Sequence, residues 1–260
     1  MVIVEPRQHA HLGYVLRNFD QHMPQRYDLY VFHGQSAAEY ARQAAAGIER
    51  HRAVHFIPLP ADDLSADEYN ALLKSPAEFW DKIDAENVLV FQTDSVLCGA
   101  SSHSIAEFET LGYIGCLAAS DGDAGPESHW RRTHPAYAFW GAGGLSFHHR
   151  SAALHCLAAF GHLVPPSYPE DLFFSECVML GYGRPPPNAS WVAAFCTQDA
   201  FVKRSFGAHR VHDRLLWAGD MFDFLMYCPE NVPLLLPESH HTPDASDFFW
   251  GAWRQARFPM

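Results

Sequence analysis

The chain has 260 residues, of which 48% are hydrophobic and 14% aromatic. That excludes disorder and supplies the apolar surface for one large α/β domain or two small ones. Its formal net charge is −12 with only 18 Lys and Arg and no basic run, which argues against a nucleic-acid backbone or an anionic membrane as partner.

An anionic ligand would therefore have to be held by a metal, by helix N-termini or by a few placed arginines. The six cysteines, at 98, 116, 156, 177, 196 and 228, are scattered without CxxC pairing. That pattern argues against a zinc ribbon or a dense disulfide framework and makes reduced, buried thiols the expectation. Most of the 17 histidines read as surface or satisfied core residues, and no HExxH occurs. The chain as given opens directly on a strand, with no signal peptide or transmembrane segment ahead of it. This points to the cytoplasm, with a shortened secretory-pathway enzyme as the alternative.

In chain order, Val2-Ile3-Val4 is a short strand ending at Glu5-Pro6-Arg7, and Leu12, Val15, Leu16 and Phe19 recur at helical spacing. Residues 27–32 predict a second strand, 36–47 an Ala-rich helix stopped by Gly47, and 54–57 a third strand. This β-α-β-α-β order predicts a mostly parallel, Rossmann-like sheet flanked by helices. Ser75-Pro76-Ala77-Glu78 has the form of a capping box and predicts a helix running towards Ile83. Val88-Leu89-Val90-Phe91 reads as a fully buried parallel strand that delivers Asp94 to the crevice where open α/β sheets bind ligands.

Residues 103–110 look helical and Tyr113–Cys116 forms another strand. Residues 119–136, rich in Gly, Asp, Ser and Pro, predict a long loop suited to act as a lid. Gly141–Gly144 predicts a tight turn entering a strand, 151–160 a Ser-capped helix, and 172–180 a helix packed on the sheet. An aromatic segment with Phe248, Phe249, Trp250 and Trp253 closes the chain, and no composition break marks a domain boundary. One domain is expected, with a nucleotide-binding half at about 1–118 and an acceptor and catalytic half at about 119–260.

Five polar sites carry the candidate chemistry, and each has a plain structural explanation beside the functional one. Glu5 and Arg7 leave the first strand where a nucleotide would lie, or form a surface turn. Asp94 anchors a divalent cation or caps the next turn. Gly143 and Gly144 allow close backbone approach to a ligand, or serve a tight bend. Glu170-Asp171 supplies an acid–base pair, or favourable charge at a helix N-terminus. His209 ligates a metal, or is one more core histidine.

The ordered set resembles the GT-A glycosyltransferases, and more closely a domain-of-unknown-function family beside them. The carrying residues are Val4–Arg7, Tyr69–Leu73 with Phe79-Trp80, Phe91–Ser95, Tyr113–Gly115, Gly141–Ser146, Pro169–Phe174 and Phe206–His209, spanning roughly 2–215. The resemblance implies a single GT-A domain holding a nucleotide sugar, by default a UDP-sugar, with Mn²⁺ or Mg²⁺. The strand-end Asp-x-Asp motif reads here Gln92-Thr93-Asp94, so Asp94 inherits the metal-ligand role and Gln92 and Thr93 lie along the nucleotide. His209 would complete the cation's shell, with His212 as the competing candidate. Asp171 would be the general base toward an unknown acceptor hydroxyl, with Glu170 beside it and inversion favoured. Ala142, His148 and Phe195-Cys196-Thr197-Gln198 depart from the family pattern of Asn, Arg and Phe-Ser-x-Glu. The alternatives are a catalytically silent nucleotide- or sugar-binding module and a metal-dependent phosphoester hydrolase.

Overall fold

The sheet grows outward from the first strand. A computed structural model describes residues 1–117, 141–198, 201–211 and 218–235. Strand β1 (Val2–Val4) lies between two parallel neighbours, β2 (Leu29–His33) and β4 (Asn87–Phe91), and β3 (Val54–Pro58) adds beyond β2. Helices α1 (Leu12–His22) and α2 (Ala38–Ala44) carry the chain between the first three strands, as parallel pairing requires. The far edge is formed by β6 (Tyr113–Leu117) and β7 (Gly141–His149), giving the order β3-β2-β1-β4-β7-β6. Strand β7 runs antiparallel to both its neighbours, so the sheet is mixed but mostly parallel, as expected.

Strand β4 shows why this core is continuous on both faces. Leu89 and Phe91 point to the layer containing α1, where Phe91 stacks on Phe19 at 3.8 Å between ring centroids. Val88 and Val90 point to the opposite layer, with Trp80, Phe79 and Phe174. A strand with every inward and outward position apolar is stable only between two covered faces. That layer is completed by α3 (Ala66–Leu73), α4 (Arg150–Phe160) and α5 (Glu170–Met179).

A second sheet of three short strands stands over the ends of the first. It consists of β5 (Ser95–Leu97), β9 (Gly207–His209) and β8 (Cys196–Thr197), in the order β5-β9-β8. Helix α6 (Ala189–Phe195) leads into β8, and α7 (Ala218–Tyr227) is followed by a 3₁₀ segment at Pro229–Leu235.

Several local expectations are corrected. Gly141–Gly144 is strand, not turn; a Cβ on Gly141 would sit 2.0 Å from the Gly115 carbonyl carbon, at a bulge between Gly115 and Cys116. Phe206 leads directly into a strand at Gly207–His209. Capping boxes form instead at Ser65 with Glu68, which opens α3, and at Ser104 with Glu107. At Ser75 only the Glu78 N–H bond to Ser75 Oγ forms, and Trp80 Nε1 donates to Leu73 O, leaving turns and a 3₁₀ segment at Trp80–Lys82. Ser151 is not a cap, since α4 begins at Arg150 after His149. The lid at 119–136, the aromatic tail and His212 lie outside the described residues.

The cysteines are the largest correction. All six are paired, as Cys98–Cys228, Cys116–Cys196 and Cys156–Cys177, with none free. The partners are 130, 80 and 21 residues apart in sequence, yet their Cα atoms are 4.9, 4.4 and 5.8 Å apart. Those separations are compatible with bridging. Linear spacing hid this because the sheets create the neighbourhoods.

Candidate active site

At the carboxyl ends of β1 and β4 lies a cleft of about 960 Å³. Its walls include all of Glu5, Arg7, Gln92, Thr93, Asp94, Gly143, Gly144, Glu170, Asp171 and His209. Residues spread over two hundred positions thus meet where an open α/β sheet binds ligands.

The turn after β4 is set by backbone bonding to β7. Ser95 N–H donates to Gln92 O at 3.1 Å, closing the turn. Gln92 N–H and Ser95 Oγ both donate to Gly144 O, at 2.9 and 2.8 Å. The chain then enters β5, whose Ser95 faces His209 in β9, while Arg210 N–H donates to Asp94 O at 3.1 Å. This pairing brings Asp94 Oδ1 within 3.3 Å of His209 Nε2.

The two atoms are an uncomfortable couple. His209 Nδ1 lies 2.7 Å from Gln198 Oε1. An amide oxygen only accepts, so Nδ1 carries the ring proton and, in a neutral ring, Nε2 presents a lone pair. That lone pair faces a carboxylate oxygen, and both atoms are buried without a hydrogen-bond partner among the described residues. Two electron-pair donors held together in this way call for a shared proton or a shared cation. Burial alone would raise the Asp94 carboxyl, but a proton shared with His209, Asp94's own N–H and the Arg210 charge together hold it below its ordinary value.

Glycine is required beside them. A Cβ on Gly144 would lie 2.0 Å from His209 Nε2, and one on Gly143 would lie 2.2 Å from Glu170 Oε1. The glycine run therefore serves packing of the candidate ligand and the acid pair, and its φ angles are not in the left-handed region.

The acid pair opens α5 after Pro169. Glu170 is buried, and its N–H donates to Asn70 Oδ1 at 3.2 Å. Asp171 keeps an exposed edge on the cleft; its Oδ2 accepts from Gly143 N–H at 3.3 Å and Oδ1 from Leu172 N–H at 2.8 Å. Desolvation, and for Glu170 the neighbouring Asp171 charge, holds both carboxyls above the ordinary range, Glu170 the further. An exposed pair favoured by the helix dipole would shift the other way, so helix-end charge alone does not describe these residues.

Glu5 is buried and answers Arg7 rather than facing the cleft alone. Its Oε1 accepts from both Arg7 N–H and Arg7 Nε at 3.0 Å. Sequence reasoning did not single out Asn70 and Gln198 as site residues. Asn70 lay in a segment carrying the resemblance and Gln198 in one departing from the family pattern, and their contacts to Glu170 and His209 cross 100 and 11 residues. His148 is buried among Trp80, Tyr113 and Phe174, away from the cleft, and burial lowers its imidazole to about 3.

A family model described as "Protein of unknown function (DUF5672)" matches residues 54–209. That span contains Asp94, both glycines, the acid pair and His209, and omits Glu5 and Arg7. No curated protein matches the sequence. Among solved structures, the chain is similar to mouse xyloside xylosyltransferase 1 in its apo form, at 10% identity and TM-score 0.46, covering 80% of this chain and 96% of that one. It is also similar to the apo glycosyltransferase GlyE of Streptococcus pneumoniae TIGR4, at 6% identity and TM-score 0.42, covering 70% of this chain and 43% of that one.

Proposed function

We propose that this chain, which belongs to the family described as protein of unknown function (DUF5672), is a metal-dependent glycosyltransferase. It would move a sugar from a nucleotide sugar, by default a UDP-sugar, to an acceptor hydroxyl with inversion. The observation that carries the reading is the facing of Asp94 Oδ1 and His209 Nε2 at 3.3 Å in the same cleft as Glu170-Asp171.

The donor set fits a hard divalent cation. Oxygen ligands with one imidazole suit Mn²⁺ better than Zn²⁺ or Ca²⁺, with Mg²⁺ the alternative, and Asp94 and His209 would hold it. No group of three or more His, Cys, Asp or Glu that could hold a metal gathers among the described residues. The donor diphosphate and water would complete the shell. When bound, the cation supplies Lewis-acid stabilisation of the departing diphosphate.

The remaining chemistry belongs to side chains of this chain. Asp171, with its edge on the cleft and its carboxyl raised above the usual range, takes the proton of the acceptor hydroxyl as that oxygen attacks the anomeric carbon. The bond from that carbon to the diphosphate oxygen breaks. A base near neutrality does this better than an ordinary aspartate, a contribution of about 10²–10⁴-fold. Glu170 stays protonated at pH values where Asp171 is ionised, because adjacent carboxyls resist ionising together. Glu5, Arg7, Gln92 and Thr93 border the part of the cleft assigned to the nucleotide, and Gly143 and Gly144 the sugar. On this reading the halves at about 1–118 and 119–260 divide nucleotide binding from acceptor binding and catalysis. Gln92, an amide where a carboxylate is usual, favours the second reading, a module that binds nucleotide or sugar without turnover.

Calorimetry and turnover separate these. UDP is expected to bind more tightly with Mn²⁺ in the wild type and to lose that gain in Asp94→Ala. Asp171→Asn is expected to keep donor affinity and lose transfer, measured as nucleotide release from UDP-, GDP- and CDP-sugars. Metal-dependent binding without turnover in the wild type would leave the silent module. Absence of both would sink the proposal.

A further inference from the structure

Asn188-Ala189-Ser190 is the chain's one Asn-x-Ser/Thr triplet with a middle residue other than proline. Such a triplet is an acceptor for N-linked glycan only on a reachable surface segment of a protein that enters an oxidising secretory compartment. Both conditions have independent support. All three residues of the triplet are exposed, and the chain reaches them through Pro185-Pro186-Pro187, which holds an extended, hydrogen-bond-poor approach. Asn188 Oδ1 accepts from Ser190 N–H at 3.0 Å. That bond caps α6, in whose first turn Ser190 sits, and leaves Nδ2, the atom to be modified, outside it.

The compartment is marked by the cysteines. Six of six are in disulfides, a usage typical of oxidising compartments and rare where glutathione keeps thiols reduced. Each pair gives two electrons and two protons to a disulfide-bearing oxidoreductase of that compartment.

We propose that Asn188 is an N-glycosylation site and that the chain matures in an oxidising, glycosylating lumen. The co-reactant is an oligosaccharide linked through diphosphate to a lipid. The Asn188 Nδ2–C1 bond forms as the C1–O bond to the diphosphate breaks; Nδ2 loses one proton and the lipid diphosphate departs. Asn188 lies outside the walls of the cleft, so the modification leaves the proposed transfer site open and is independent of it.

The test is expression of the full chain behind a cleavable secretory leader in yeast. The secreted protein is expected to show a mobility shift that peptide-N-glycosidase F removes. The shift is expected to vanish in Asn188→Gln and Ser190→Ala and to persist in Ser190→Thr, which separates loss of the acceptor from loss of folding. Alkylation of the unfolded, unreduced protein is expected to label no cysteine. Secreted protein with no shift overturns Asn188 as an acceptor. Free thiols, or failure of every version to leave the cell, overturn the compartment. Neither outcome touches nucleotide-sugar turnover, which is measured on the same material.

Discussion

Gln198 decides what His209 can do. By accepting the Nδ1 proton at 2.7 Å it fixes the tautomer that turns the Nε2 lone pair toward Asp94. Partners of this kind typically govern metal affinity by about 10–100-fold. Gln198→Ala is therefore expected to weaken Mn²⁺ binding by that factor while the melting temperature changes little. Gln198→Glu is expected to retain the affinity. Equal Mn²⁺ affinity in wild type and Gln198→Ala would remove Gln198 from the site. The acid pair gives a second prediction. Both carboxyls are raised, chiefly by desolvation. A raised acid contributes stability that is full below the ordinary carboxylate pKa of about 4 and is lost as pH rises through the shifted value. The proposed activity would run the opposite way, because Asp171 would have to be ionised to act as base. The rate is expected to climb through a pH range above that of an ordinary aspartate while the denaturation midpoint falls. Glu170→Gln should flatten the fall in stability. A rate already at its plateau at pH 4–5 would contradict the base assignment.

At the scale of elements, the long apolar strands were readable and the short ones were not. Val88–Phe91 is buried on both faces, so its sequence is apolar throughout and its end at Asp94 is visible. Strands β5, β8 and β9 are 3, 2 and 3 residues long, too short for a period to appear. Yet their pairing creates the Asp94–His209 contact. What holds β5 is equally non-local. Asn18 in α1 donates through Nδ2 to Leu97 O at 3.0 Å and accepts from Leu97 N–H at 2.7 Å. Its amide thus serves as the missing neighbour on the free side of that strand. The helical period around Asn18 gave no hint of this, because a buried polar residue on an apolar face is explained only by its partner. Asn18→Ala would leave two buried backbone groups unpaired, at roughly 1–3 kcal/mol each. A loss of about 2–6 kcal/mol is expected in urea denaturation, with weaker Mn²⁺ binding as β5 loosens. A change below about 0.5 kcal/mol would mean that β9 alone holds the strand.

Across the whole molecule, the site draws on residues from Glu5 to His209, and the three disulfides tie together elements between Cys98 and Cys228. Cys98–Cys228 ties the end of β5 to the chain after α7, Cys116–Cys196 ties β6 to β8, and Cys156–Cys177 ties α4 to α5, the helix that presents the acid pair. Closing a loop restricts the unfolded chain, and by chain entropy a span of 21 residues corresponds to about 3 kcal/mol and spans near a hundred to about 5 kcal/mol. The Cys156–Cys177 bridge is the cleanest to test, because the α4–α5 contact also rests on the surrounding packing of Leu157, Phe173 and Phe174. Replacing both cysteines with alanine is expected to lower the melting temperature by roughly 6–12 °C, given a conversion of about 2–4 °C per kcal/mol at this size. The fold and the proposed Mn²⁺ binding at Asp94 and His209 should survive, since neither residue lies on α4 or α5. Transfer should fall more than binding, because α5 positions Asp171. An unchanged melting temperature would show that the bridge does not constrain the unfolded chain. Loss of metal binding together with transfer would show that α5 supports the whole cleft and not the base alone.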